Sequence, residues 1–264
     1  MPDDLGNRAE AETGPNPREI HRVIREEGEA QLTRHSGAVA WSGLAAGLSM
    51  GFSFLTMALL QGGLPDAPWR TLVSGFGYTL GFLIVILGRQ QLFTESTLTP
   101  VLPVLTGPRL DKLPLLFRFW GVVLGANLVG TWLFAWGIAH EWLFRPDVWQ
   151  ALREIGSEAS AHPFGTTLIK AVLAGWLIAL MVWLLPSAGS ARMLIIATLT
   201  YVVAIGQFSH SIAGSVEAAF AVFVGASGGG DYLWHFLLPT VLGNTIGGVA
   251  LVAMLNHAPL ATEA

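Results

Sequence analysis

The chain has 264 residues, 52% of them hydrophobic and only 12% charged, with a formal net charge of −4. A soluble domain carries about 25% charged residues, and a large share of the charges here falls before residue 36, so the composition excludes a large soluble core and points to a membrane protein. The absence of cysteine excludes disulfides and thiolate metal sites.

Residues 1–16 are rich in Asp, Glu, Pro, Gly and Asn, which predicts a disordered tail. Residues 1–35 hold no apolar stretch of the signal-peptide type. Residues 17–34 open on Pro17 and set Ile20, Val23, Ile24 and Leu32 among charges. That pattern predicts a short amphipathic helix, either lying on the membrane or a neighbouring subunit or simply solvated. The organisation is therefore an N-terminal tail over 1–36, a membrane domain over 37–258 and a short C-terminal tail over 259–264.

Six apolar spans follow, at about 37–61, 71–106, 114–139, 165–185, 192–225 and 233–256, against a requirement of roughly 20 apolar residues per crossing. The second and fifth are too long for one straight crossing. The second is interrupted by the polar stretch Gly88-Arg89-Gln90-Gln91 and again by Thr94-Glu95-Ser96-Thr97. The fifth is interrupted at Gly206-Gln207 and Ser209-His210-Ser211. Backbone unwound inside a bilayer must find hydrogen bonds from protein or from a water-lined cavity. A matched pair of such interruptions points to a transport site.

An even split gives two three-span halves of opposite topology. The third span contains Asn127-Leu128-Val129-Gly130 and the sixth Asn244-Thr245-Ile246-Gly247. Thr94 precedes Asn127 by about the same distance as His210 precedes Asn244. This order predicts an inverted repeat, although close helix packing with Asn as interhelical glue would by itself explain the N-x-x-G motif. Lys and Arg in the tail and in the second and fourth loops place both termini in the cytoplasm. The third loop predicts an interfacial helix anchored by Trp142 and Trp149.

His210 is the only histidine deep within a span, and imidazole can donate, accept or relay a proton. Thr94 is expected to donate a hydroxyl hydrogen bond toward His210 or the permeant, or to cap a restarting helix. Leu92 and Phe93 read as an apolar constriction or as ordinary core. Half-helices restarting near Ser96 and Ser215 would present N–H groups that favour an anion. Lys170 and Glu217 are unusual intramembrane charges. They form an ion pair near the pore, or Lys170 snorkels outward while Glu217 caps its half-helix. Adjacent Ser209, His210 and Ser211 make no credible nucleophile–base dyad. The scattered histidines make no metal site. No enzyme activity, metal or cofactor is expected.

These residues resemble a known family, the formate/nitrite transporters. Leu92-Phe93-Thr94 resembles that family's Leu-Phe-Thr loop. Phe208-Ser209-His210-Ser211-Ile212-Ala213 resembles its Phe-Glu-His-Ser-(Val/Ile)-Ala-Asn motif. Asn127 and the run from Leu242 to Gly248 resemble its third- and sixth-helix signatures. The resemblance implies an all-α, aquaporin-like protomer of six transmembrane helices with helices 2 and 5 broken. It also implies a homopentamer in a bacterial cytoplasmic membrane, with no nucleic-acid partner. Each pore would pass small monovalent anions such as formate, nitrite or hydrosulfide, or their acids, along Phe208, Ser209 and His210. The chain departs from the pattern at Ser209 (family Glu), Gly214 (family Asn), Ala179 (family Asn) and near Pro163 (family Lys). Its Gly-Arg-Gln-Gln-Leu-Phe-Thr-Glu stretch resembles a divergent, YfdC-like branch. The departures motivate an alternative in which the same pore passes a neutral or weakly basic solute.

Overall fold

The structure, a computed structural model, describes residues 15–106 and 110–254. Expectations for the first 14 residues, for Arg109 in the second loop and for the C-terminal tail lie outside the described residues. Within them the chain is helical throughout, with no strand.

Helix α1 (Pro17–Thr33) starts where its sequence says it should. Pro17 occupies the first turn, and the Asn16 side chain accepts the Glu19 N–H at 3.0 Å. Ile20, Ile24 and Leu32 are buried, whereas Val23 is exposed. Its buried stripe packs against this chain's own 99–105 segment. A Cβ on Gly28 would collide with the Thr99 carbonyl. Arg118 donates to the Leu32 carbonyl at 2.7 Å and fixes the end of the helix. An apolar stripe takes the nearest apolar surface available, and here the same chain supplies it.

Four helices are long and apolar enough to cross a membrane among the described residues. They are α2 (Ser36–Gly62), α3 (Arg70–Leu87), α4 (Leu113–Ile138) and the stretch Phe164–Ser187, whose regular part is α6 (Phe164–Leu184). Between α4 and α6 runs α5 (Pro146–Ala159), at the place expected for an interfacial helix. Of its two expected anchors, Trp142 is 81% exposed, but Trp149 turns inward with its ring 5.5 Å from Phe220. Shorter apolar helices α7 (Arg192–Ile205) and α8 (Ala213–Phe223) follow. The last span combines α9 (Leu238–Ile246) with wider π-helical turns at Tyr232–Leu237 and Gly247–Met254.

The two interrupted segments resume differently. After α7 the chain restarts as α8, an eleven-residue helix. After α3 it makes two 3-10 turns, Glu95–Thr97 and Thr99–Val101, then a single α-turn, Leu102–Leu105. The expected half-helix near Ser96 is therefore absent. Pro100 and Pro103 explain the difference, since each lacks an N–H and disfavours helix in the residue before it.

Two pairs of glycines let backbones touch. Gly47 of α2 lies against the backbone of Asn127 in α4, and Gly130 against Leu44 and Leu48. Gly175 of α6 lies against the backbone of Asn244 in α9, and Gly247 against Val172 and Trp176. Small residues permit this approach. It brings both Asn side chains within reach of the polar interruptions. The outward face of α4 leaves Phe117, Val129, Leu133 and Trp136 exposed. Contiguous apolar surface of this kind suits lipid or another subunit rather than water.

Candidate functional site between two unwound segments

The helices α3 and α7 end in the same way. Arg89 N–H bonds to Ile86 and Gln90 N–H to Val85; Gln207 N–H bonds to Ala204 and Phe208 N–H to Val203. Arg89 and Gln207 sit in the left-handed region, at φ 51° and 50°. These are Schellman caps built on residues other than glycine.

The unwound backbone beyond each cap is held by one buried Asn. Asn127 Oδ1 accepts the Phe93 N–H at 2.9 Å, while its Nδ2 donates to the Gln91 carbonyl at 2.9 Å and the Gly43 carbonyl at 2.7 Å. Asn244 Oδ1 accepts the Ser211 N–H at 2.8 Å, and its Nδ2 donates to the Ser209 carbonyl at 2.9 Å and the Ala171 carbonyl at 2.8 Å. Both side chains are fully buried and use all the capacity that these contacts require. The Asn residues are interhelical glue, as the packing reading held, and they also support the loops. This bonding sets the register: Phe93 matches Ser211, and Leu92 matches His210. The sequence spacing had set Thr94 beside His210 as equivalents; the hydrogen bonds shift that match by two residues.

His210 and Thr94 nonetheless meet. Thr94 Oγ1 and His210 Nε2 are 2.6 Å apart, with the two residues 0% and 1% exposed. His210 Nδ1 accepts from the Ala213 N–H at 3.1 Å and the Ile212 N–H at 3.3 Å, at the start of α8. A ring nitrogen that accepts two N–H groups carries no proton, so in the neutral ring the hydrogen sits on Nε2. His210 therefore donates to Thr94, the reverse of the direction expected. The hydroxyl hydrogen of Thr94 is then left free to donate elsewhere. The edge of Phe82 packs on the imidazole, ring centres 4.9 Å apart.

A cavity of about 510 Å³ is lined in part by His210. Of the ten candidates from the sequence, Phe208, Ser209, His210 and Glu217 line it. Leu92 and Phe93 are buried in the core behind it, and Asn127 and Asn244 hold the loops. Lys170 lies apart from Glu217: its Nζ is 2.8 Å from His162 Nε2, and no ion pair joins the two charges. Of the two readings, the pair is ruled out by that geometry. The sequence reading missed Tyr78, Glu154, Glu158 and His162, which also face the cavity. The signal available was Glu154 and Glu158, four apart on an amphipathic helix and so on one face. Among the described residues no cluster of three or more potential ligands could hold a metal.

The sequence profile described as formate/nitrite transporter matches residues 18–258. The chain belongs to the formate/nitrite transporter family. That family consists of transporters rather than enzymes. Among relatives of this formate/nitrite transporter homologue, the inner membrane protein YfdC of Escherichia coli (strain K12) is 41% identical over 244 residues. The match covers 92% of this chain and 79% of YfdC. Two solved structures share the fold. A pentameric formate channel with formate bound superposes with a TM-score of 0.71 at 20% identity, over 86% of this chain and 98% of that one. An FNT family ion channel gives 0.71 at 22% identity, over 92% and 96%. Set against the formate/nitrite transporter motif, Ser209 and Gly214 are departures, and both line the cavity beside Glu217. A side chain at position 214 would run into the Phe236 ring.

Proposed function

We propose that this chain is one protomer of a homopentameric channel or transporter for small monovalent anions, or their conjugate acids, of the formate/nitrite kind. Each protomer consists of six transmembrane helices in two inverted three-helix repeats, with the second and fifth helices broken. The protein lies in a bacterial inner membrane with both termini in the cytoplasm. Supporting the repeat are the matched caps at Arg89 and Gln207, the matched Asn127 and Asn244 bonding, and the matched glycine contacts. The pentameric formate channel and the inner-membrane location of YfdC support the assembly and the membrane.

The observation that carries the function is the Thr94–His210 contact, made between the two unwound segments, with His210 lining the cavity. An anion losing its hydration in a narrow apolar passage needs donors. Thr94 has a free hydroxyl hydrogen, and His210 Nε2–H can turn from Thr94 to the permeant or relay its proton. The N-terminal N–H groups of α8 add positive potential on one side only, since the first segment does not restart as a helix. Purified protein in liposomes, tested with formate, nitrite, nitrate, chloride and ammonium, should move formate or nitrite. His210→Phe should abolish that flux while the oligomer survives size-exclusion chromatography. Unchanged flux in the variant would remove His210 from the mechanism.

The second reading, passage of a neutral or weakly basic solute, is favoured by the carboxylates around the cavity: Asp66, Glu154, Glu158 and Glu217. In the same panel it requires ammonium flux without formate or nitrite flux.

A further inference from the structure

Tyr78 is fixed in the wall of the cavity by the contact between α3 and α2. Gly77 and Gly81 let the two helices close: a Cβ at 77 would run into the Met57 backbone, and one at 81 into the Ser53 hydroxyl. The Ser53 hydroxyl donates to the Tyr78 carbonyl at 2.5 Å and accepts the Gly81 N–H at 3.1 Å. Tyr78 is 5% exposed and lines the same cavity as His210. Phe82 is four residues further on, and so on the same face of α3. Its ring centre is 5.2 Å from that of Tyr78 and 4.9 Å from that of His210. One aromatic ring thus links Tyr78 to the imidazole, and every part of Tyr78 is held except its hydroxyl.

That hydroxyl has no hydrogen-bond partner among the described residues, and its oxygen is not sealed from the cavity. A buried tyrosine hydroxyl usually finds a partner. Glu217 faces it from α8 without bonding to it. The other hydroxyls of the lining differ: Ser74 donates to the Thr71 carbonyl at 3.4 Å, Thr71 is exposed, and Ser209 is half-buried on the unwound segment itself. A phenol O–H held open to a passage is a donor for whatever passes. An oxygen of formate or nitrite accepts it in either protonation state, whereas sulfur, as in hydrosulfide, is a weak acceptor. A site that hydrogen-bonds one permeant discriminates against an analogue unable to take the bond.

We propose that Tyr78 is a specificity-determining residue, whose hydroxyl donates to an oxygen of the permeant beside His210 and so favours small oxygen-bearing permeants, formate and nitrite, over hydrosulfide. The inference rests on the formate/nitrite reading above and names what selects among those permeants. It adds a donor that is independent of Thr94 and His210 and that carries no net charge.

The test uses full-length protein in liposomes, with uptake of labelled formate competed by nitrite and by hydrosulfide. In wild type the inhibition constant of nitrite should lie below that of hydrosulfide. Tyr78→Phe keeps the ring and its contact with Phe82 and removes only the hydroxyl. It should raise the half-saturating formate concentration and the inhibition constant of nitrite about fivefold each, and leave that of hydrosulfide unchanged. A defect in the fold would shift all three alike, and that outcome overturns the assignment. So does a Tyr78→Phe protein that fails to assemble, since the hydroxyl then serves the structure. Equal inhibition by nitrite and hydrosulfide in wild type overturns it without any variant. Absence of formate uptake by wild type overturns the underlying formate/nitrite reading and the assignment with it, whereas uptake with unshifted constants in Tyr78→Phe overturns the assignment alone.

Discussion

The two polar interruptions share a frame and differ in content. Each leaves its helix through a left-handed residue, and each hands one N–H and one C=O to a buried Asn. Beyond that point they diverge. The first offers Leu92 and Phe93 to the core and Thr94 to the site, then stumbles through Pro100 and Pro103. The second offers His210 and runs directly into a regular helix whose first N–H groups grip the imidazole. Backbone support is thus duplicated, while chemistry is concentrated on one side. An irregular segment in a membrane is tolerated only when its polar groups are satisfied, so the supporting bonds cannot vary as freely as the side chains they position.

If the frame is shared, equivalent damage should have equivalent cost. Asn127→Ala strips the Phe93 N–H and the Gln91 carbonyl of their partner, and Asn244→Ala does the same to the Ser211 N–H and the Ser209 carbonyl. At about 1–3 kcal/mol per buried orphan, each variant should lose roughly 2 kcal/mol at the least. Neither should yield assembled protein on size-exclusion chromatography. One Asn variant that assembles normally would break the equivalence. The glycine contacts give the next largest effect. Gly47→Ala and Gly175→Ala both push a methyl into the backbone of the partner Asn, and overpacking of this kind costs about 1–3 kcal/mol. Both should lower the thermal midpoint in detergent, by similar amounts.

Most of this frame was legible in the sequence. Hydropathy located the four helices long and apolar enough to cross a membrane, and the two N-x-x-G motifs located the supports of the unwound segments. The register was less legible. Counting residues to the next Asn aligned Thr94 with His210, because spacing in sequence ignores which backbone groups the Asn side chain reaches. The Lys170–Glu217 pair failed for a related reason: similar depth in the membrane says nothing about position around the helix, and His162 was nearer. The contact of α1 with the 99–105 segment was not legible, because amphipathicity shows that a face needs burial without showing against what. The acidic side of the cavity came from α5, a segment read only as a surface anchor.

The content of the site should respond unequally where the frame responds equally. Thr94→Val deprives His210 Nε2–H of its acceptor and removes the free hydroxyl, while Thr94→Ser keeps both. An unmet buried donor costs about 1–3 kcal/mol, so formate or nitrite flux should fall at least tenfold in the valine variant and remain near wild type in the serine one. The matched position in the other segment is Ile212, which carries no polar atom to lose. Ile212→Val should accordingly leave flux within about twofold, as a change of one methylene in the core costs roughly 0.5–1.5 kcal/mol of stability and touches no donor.

The smallest effect sharpens the comparison most, because it reads the backbone alone. Arg89 and Gln207 hold φ near 50°, a region that costs a residue with a Cβ roughly 1 kcal/mol. Glycine removes that cost in the folded protein but adds entropy to the unfolded chain, by a comparable 0.5–1 kcal/mol or so. Arg89→Gly and Gln207→Gly should therefore each shift stability by less than about 1 kcal/mol, and by the same amount as one another. Thermal unfolding of the two variants in one detergent measures this directly. A large loss at only one position would mean that the side chain there, rather than the cap, holds the segment, and the two interruptions would then share a shape without sharing a cause.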